Sequence, residues 1–210
     1  MADYATIAEI KAAMNKTGAG DDTLLTALAT AASRAIDNYT NRPDGFVALA
    51  VATARVYAGE GKSWQSIDEC VAVTEVAVKE STTDDDYTAW VTADWIAFSG
   101  DPEHPEFNRL PYTALMVGYD GDYGYFLSGR RGKHSVPTMQ ITAKWGYATD
   151  VPTPIKEATI ITASRWYKRG EGGWSDVLAS GELGMLLYQK MLDPDVKLLL
   201  VAGRYVRPAI

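Results

Sequence analysis

Apolar residues recur at spacings of three and four in the first part of the chain. Leu25, Leu28, Ala32, Ala35, Ile36 and Tyr39 form one stripe, which predicts a helix from Thr23 to Thr40. Asp21 and Asp22 precede it, where carboxylates meet the positive end of the helix dipole, and Asn41-Arg42-Pro43-Asp44-Gly45 ends it. Upstream, Thr6-Ile7-Ala8-Glu9 has the spacing of a capping box and opens a short helix that stops near Met14. From Phe46 to Tyr147 the period falls towards two, and Val, Thr, Tyr and Trp become frequent. Runs at 51–58, 70–79, 87–98, 112–119 and 138–147 predict strands. Val71 and Val73 share one parity and Val76 and Val78 the other, so a bulge or bend is expected near Thr74-Glu75. Residues 80–86 read as a solvated hairpin turn. Residues 118–135 form a long, glycine-rich excursion of a length that is uncommon without a function.

A second helical stretch follows two prolines. Thr153 is placed to cap and Pro154 to take the first helical position, with the helix running to Arg169 and ending at Gly170. Arg165, Lys168 and Arg169 lie towards its C-terminal end, where carbonyl groups favour positive charge. Residues 182–192 fit either a strand or a helix. Asp193-Pro194-Asp195 then gives cap, proline and acid for a last helix over Val196–Ala202, stopped by Gly203. Arg204 to Ile210 trail beyond it. The order of helices, strands and helices predicts an α+β protein. Its N- and C-terminal helices pack together as a small bundle, because neither set has enough apolar surface alone, and an antiparallel β-rich domain is inserted between them. The expected divisions are residues 1–45 with 150–203 as the helical body, 46–149 as the insertion, and 204–210 as a tail.

The 210 residues are enough for one sizeable domain or two small ones, and 47% hydrophobic with 22% charged is an ordinary globular balance. No apolar run is long enough for a membrane span, and the first residues do not read as a signal peptide. One cysteine, Cys70, excludes an internal disulfide framework and suits synthesis in a reducing cytoplasm. The net charge is −7, with 17 acidic and 7 basic residues in positions 1–105 against 10 and 13 in positions 106–210. An acidic surface disfavours ordinary DNA binding, while opposite halves suit contacts between neighbouring copies.

Motifs for chemistry are weak. His104 and His134 stand in different loops and form no metal pair, so no metal or other cofactor is expected. Gly61-Lys62-Ser63 and Gly132-Lys133-His134 lack the earlier glycine of a phosphate loop. Asp120-Gly121-Asp122 is not followed in register by the remainder of a calcium loop, and Asp84-Asp85-Asp86 reads as a solvated turn. An enzyme therefore has no residue set behind it. A carbohydrate- or protein-binding β module is a further alternative and calls for exposure of Trp64, Trp90 or Trp95. Basic groups collect at Arg130, Arg131 and Lys133 in the long loop, a candidate partner-facing site. In the tail, Tyr205, Val206 and Ile210 stand among Arg204 and Arg207, a pattern that suits docking on a partner.

Several segments together resemble the head–tail connector, or adaptor, proteins of long-tailed bacteriophages and gene-transfer particles. These are "ATIAEIKAAM", "DDTLLTALATAASRAIDNYTNR", "SIDECVAVTEVAV", "ITAKWGYATDVPTPIKEATIITASRWYKR", "ELGM" and "DPDVKLLL". Residues 99–135 resemble the family least. The resemblance implies a structural protein of the virion with no catalytic residues. It implies a closed ring of about twelve copies beneath the portal protein, with cyclic symmetry. Such a ring extends a channel through which DNA passes without sequence-specific binding, and it offers a platform to a stopper or tail-completion protein. A different neck or tail-completion protein is the nearest alternative. The portal-docking role falls on Arg204, Tyr205, Val206, Arg207 and Ile210. The expected subunit interface sets Arg165, Lys168 and Arg169 against an acidic face that includes Asp21, Asp22 or Asp37. Pro152 and Pro154 are expected to fix the joint between the body and the insertion.

Overall fold

The capping box at the start of the chain forms as its spacing requires. In the computed structural model, which describes residues 2–99, 108–171, 177–180, 184–187 and 192–207, helix α1 spans Ile7–Ala13. The Glu9 backbone N–H donates to Thr6 Oγ1 at 3.2 Å, and the Thr6 N–H donates to the Glu9 carboxylate at 2.8 Å. Two orphan amides are thereby satisfied at once. Helix α2 (Asp22–Thr40) buries Leu25, Leu28, Ala29, Ala32 and Ile36 and ends at Asn41, whose φ of 55° is the left-handed conformation that closes many helices. Asp21 stands at its N-cap position, where its carbonyl accepts from the Leu25 amide at 2.9 Å but its side chain caps none of the amides.

Helix α3 (Thr153–Glu171) begins one residue earlier than the sequence suggests. The Pro152 carbonyl, rather than the Thr153 side chain, opens it by accepting from the Ile155 and Lys156 amides at 2.9 and 3.1 Å. Pro154 still lies in the first turn, where a missing N–H costs nothing. The helix passes through Gly170 and stops one residue later. Helix α4 (Pro194–Ala202) is capped by Asp193, whose Oδ1 accepts from the Asp195 amide at 2.7 Å. Ala5, Ile10, Leu25, Leu28, Ala29, Ala32, Ile160, Ala163 and Tyr167 form one core of α1, α2 and α3, and α4 turns Val196 and Leu200 inwards. Fully burying one such leucine or isoleucine contributes about 1.5–3 kcal/mol. The ambiguous segment 182–192 contains a strand, Gly184–Leu187, paired antiparallel with Val177–Ser180.

The chain divides into two compact units, residues 1–45 with 151–210 and residues 46–150. The second is built on a six-stranded antiparallel sheet. Its strands are β1 (Thr53–Tyr57), β2 (Trp64–Val78), β3 (Thr88–Ala89), β4 (Trp95–Phe98), β5 (Tyr112–Val117) and β8 (Met139–Trp145). The order is β1-β8-β2-β5-β4, with β3 pairing beside the far end of β2. A small separate hairpin joins β6 (Arg130–Arg131) to β7 (His134–Ser135).

The expected parity switch is present. The β2–β8 register shifts between Val73 and Glu75, and Thr74 Oγ1 there donates to the Thr142 carbonyl at 2.9 Å. A second shift lies between Cys70 and Ala72, and β2 begins at Trp64, well before the predicted run. One predicted strand is two. Residues 87–98 break at Asp94, whose carboxylate accepts from the Val91 amide at 3.0 Å and whose amide donates to the Val91 carbonyl at 2.9 Å. That local ring turns the chain, so β3 pairs with β2 and β4 with β5. Both faces of the sheet carry apolar groups. Ile67, Cys70, Val76, Trp90, Leu115, Phe126, Met139, Ile141 and Trp145 share the larger core, whereas Phe98, Ala114 and Met116 gather in a smaller cluster.

Candidate interaction sites

The acidic and basic residues expected at a subunit boundary find partners within their own chain. Lys16 Nζ lies 3.1 Å from Asp21 Oδ2 and 3.2 Å from Glu171 Oε1, and the Tyr167 hydroxyl donates to Asp21 Oδ2 at 2.8 Å. The hydrogen bonds from Tyr167 and then Lys16 hold the Asp21 carboxyl below its ordinary range. Asp22 pairs with Lys11. Asp37 is buried, accepts from the Tyr4 hydroxyl and pairs with Arg34 at 3.2 Å. Burial raises its pKa against the pull of Tyr4 and Arg34. Arg165 pairs with Asp193, so the residue that caps α4 also ties α4 to α3. Lys168, at the end of α3, is exposed. Arg169 stands beside it, and Arg169 has a partner too.

The tail does not simply trail from the last helix. Gly203 and Arg204 turn it, with Arg204 at a φ of 55°. The Tyr205 amide then donates to the Leu200 carbonyl at 2.9 Å, and the Arg207 amide donates to the Thr40 carbonyl at 3.0 Å. Arg42 is buried, and its Nε donates to the Tyr205 carbonyl at 3.1 Å. Residues 204–207 thus satisfy the C-terminal carbonyls of α2 and α4, which helix geometry leaves without partners. Tyr205 and Arg207 are half-buried, whereas Arg204 and Val206 are exposed. Leu198 and Val201, on the outer side of α4, are 68% and 57% exposed. Ile210, the last member of the expected docking segment, lies outside the described residues, as does His104.

The charge belongs to one unit. Residues 46–150 hold 15 acidic and 8 basic residues, while the helical residues hold 12 of each, so the β unit carries the whole net charge of −7. Arg130, Arg131 and Lys133 lie in the β6–β7 hairpin, turned by Gly132 at a φ of 64°. Arg130 and Lys133 are exposed. None of the three tryptophans considered for sugar binding is fully exposed. Trp64 and Trp95 are half-buried, and Trp90 is buried between other rings.

Among the described residues no predicted site places a nucleophile beside a base. Cys70 is fully buried, and burial pushes its thiol up to about 12. Among the described residues no group of His, Cys, Asp or Glu is arranged to hold a metal ion, and no helix is long and apolar enough to cross a membrane. What the surface does offer is contact area: charged knobs, a half-docked tail and an apolar helix face.

The comparison with protein families falls on the same side. Residues 4–88 match the phage gp6-like head–tail connector family. The match takes in α1, α2, β1 and β2, so the connector resemblance read from the sequence is found again over those elements, and it supports a structural connector role. No curated protein sequence matches the chain. A solved chain described as belonging to the neck of a native GTA particle computed with C12 symmetry is 16% identical. It aligns over 100% of this chain and 94% of its own, with a TM-score of 0.49. At that level it bears on neither partner nor ring size. The matched segment 4–88 contains Asp21, Asp22 and Asp37, while Arg165, Lys168, Arg169 and the tail lie beyond it.

Proposed function

We propose that this protein is a structural head–tail connector subunit of a virion. It forms a closed ring of about twelve copies beneath the portal protein, with cyclic symmetry. The ring extends the channel through which DNA passes without sequence-specific binding, and it receives a stopper or tail-completion protein on its far side. The observation that carries this reading is the match of residues 4–88 to the connector family. The exposed apolar residues Leu198, Val201 and Val206 support it, because an unpaired apolar helix face beside an ordered tail suits docking.

Within this reading the portal contact falls on Arg204 and Val206 and the adjoining face of α4, with Tyr205 and Arg207 holding the tail in place. Ile210 completes the proposed segment. At the subunit boundary Lys168 and Arg169 meet the neighbouring copy, and Asp21, Asp22, Asp37 and Arg165 keep the helix ends at that boundary in position. Pro152 and Pro154 fix the joint with the insertion. An acidic β unit suits a passage for DNA, because it gives phosphates nothing to grip.

The test is capture of the protein on purified portal particles, followed by electron microscopy. Full-length protein, Val206→Asp, and a chain ending at Gly203 are compared. Rings from the full-length protein and loss of binding in Val206→Asp are expected. The truncation also removes the bonds to Thr40 and Arg42, so the point variant decides the matter. Absence of binding by the full-length protein turns the reading towards another neck or tail-completion protein.

A further inference from the structure

One pocket in the β unit is lined by both aromatic and acidic side chains. It has a volume of about 350 Å³ and lies beside the β2–β3 turn and the loop after β5. Trp90 and Tyr123 are stacked in its wall, with Phe126 stacked on Trp90 outside the lining. Phe126 is fully buried and lies under Trp90 at 5.2 Å, and Tyr123 lies on Trp90 at 4.1 Å with ring planes within 4°. Tyr123 and Tyr125 are 41% and 62% exposed. The charged groups of the lining are Lys79, Glu80 and Asp122. Lys79 is occupied, since its ammonium donates to the Asp84 carbonyl at 2.6 Å and lies over the Tyr87 ring at 5.0 Å. Glu80 and Asp122 are exposed, and neither carboxylate pairs with a base among the described residues. Two carboxylates beside electron-rich ring faces select a cation, through ion pairing and cation–π attraction together.

The same unit supplies the matching cation. Of its eight basic residues, Arg55 pairs with Asp68, Lys62 with Glu60, and Lys79 is held as above. Arg130, Arg131 and Lys133 stand within four positions on the β6–β7 hairpin. Arg130 and Lys133 are exposed and make no ion pair among the described residues. A basic knob and an acidic aromatic pocket on one chain are different patches, so contact between them is heterologous and propagates from copy to copy until a ring closes.

We infer that the Arg130–Ser135 hairpin of one copy seats in the Glu80/Asp122/Tyr123/Tyr125 pocket of the next. This rests on the ring reading above and assigns one of its contacts. Arg130 supplies the guanidinium and Lys133 the ammonium group, Glu80 and Asp122 receive them, and Tyr123 and Tyr125 provide the ring faces.

The experiment uses the full chain in two variants, Arg130→Glu with Lys133→Glu and Glu80→Lys with Asp122→Lys. Self-association is followed by sedimentation at low and high salt, and copies retained per portal particle are counted by electron microscopy. Each variant is expected to weaken association by about tenfold or more, since both positions reverse charge. Mixing the two is expected to restore association, because the unvaried hairpin of one meets the unvaried pocket of the other and the two reversed patches are again of opposite charge. If both variants form rings on the portal as the unvaried chain does, the hairpin contact is overturned and the ring reading stands. If the unvaried chain neither self-associates nor forms rings on the portal, both are overturned.

Discussion

Asp94 is the side chain on which the turn of the β unit depends, and its removal tests that account. The residue is buried, accepts from the Val91 amide at 3.0 Å through one oxygen, and accepts from the Asp122 amide at 3.0 Å through the other. The first bond closes the turn between β3 and β4, and the second fastens the loop that carries Tyr123 and Tyr125. Asp94→Ala leaves both amides without their charged acceptor. A hydrogen bond to a charged group is worth about 1.5–3 kcal/mol. Asp122 is exposed, so water replaces part of its bond, and the expected loss is about 3 kcal/mol rather than the full sum of two such bonds. That is a large part of the 5–15 kcal/mol typical of a folded protein. Asp94→Asn keeps one accepting oxygen and is expected to lose about half as much. Urea unfolding followed by tryptophan fluorescence measures the totals, and amide exchange of residues 118–127 reads the loop. A loss below about 1 kcal/mol for Asp94→Ala, or equal losses for the two variants, refutes the reasoning.

Three further outcomes are expected. The hydrogen bond from Lys156, 2.9 Å away, and the Thr6 amide hold the Glu9 carboxyl at about 2, below its ordinary 4.5. Because the folded value is the lower one, this stabilisation is complete above the unfolded value and fades as pH falls from about 4.5 towards 2. The stability difference between the protein and Glu9→Gln should therefore shrink over that range, and a constant difference counts against the linkage. Gly146 has a φ of 140°, and a Cβ there would come within 2.4 Å of the Ala48 Cα. Gly146→Ala should cost at least about 1–3 kcal/mol of stability by urea titration, and an unchanged midpoint contradicts the close approach. Cys70 should react with a maleimide only through opening of the β unit, so its labelling rate should rise with urea as unfolding does. Labelling of the native protein at the rate of a free thiol contradicts its burial.

Much of the architecture was legible because it is local. Thr6 and Glu9 meet across one helical turn whatever surrounds them. The stripe from Leu25 to Ile36 needs only helical periodicity, and the parity change between Val73 and Val76 registers a bulge before any partner strand is known. Asp193 before Pro194 announces α4 in the same way. The interruption at Asp94 was hidden, because Trp95, Ile96 and Phe98 continue the alternation of the strand before it. Only the acceptor geometry of one carboxylate reveals the turn.

The capped helices, the antiparallel β-rich insertion and the resemblance to connectors could be read along the chain, since each rests on neighbours in the chain or on ordered motifs. Tertiary structure alone decided which charges are spent. Arg165 is taken by Asp193, Asp21 by Lys16 and Tyr167, and Asp37 by Tyr4 and Arg34. It also decided that the segment after Gly203 returns to Thr40 and Arg42. Partners as far apart as Asp21 and Tyr167, or Thr40 and Arg207, leave no periodic signal, because the pairing depends on where the helices lie in space. For the same reason Tyr123 and Trp90 look unrelated along the chain, yet they stack in the fold and line one pocket.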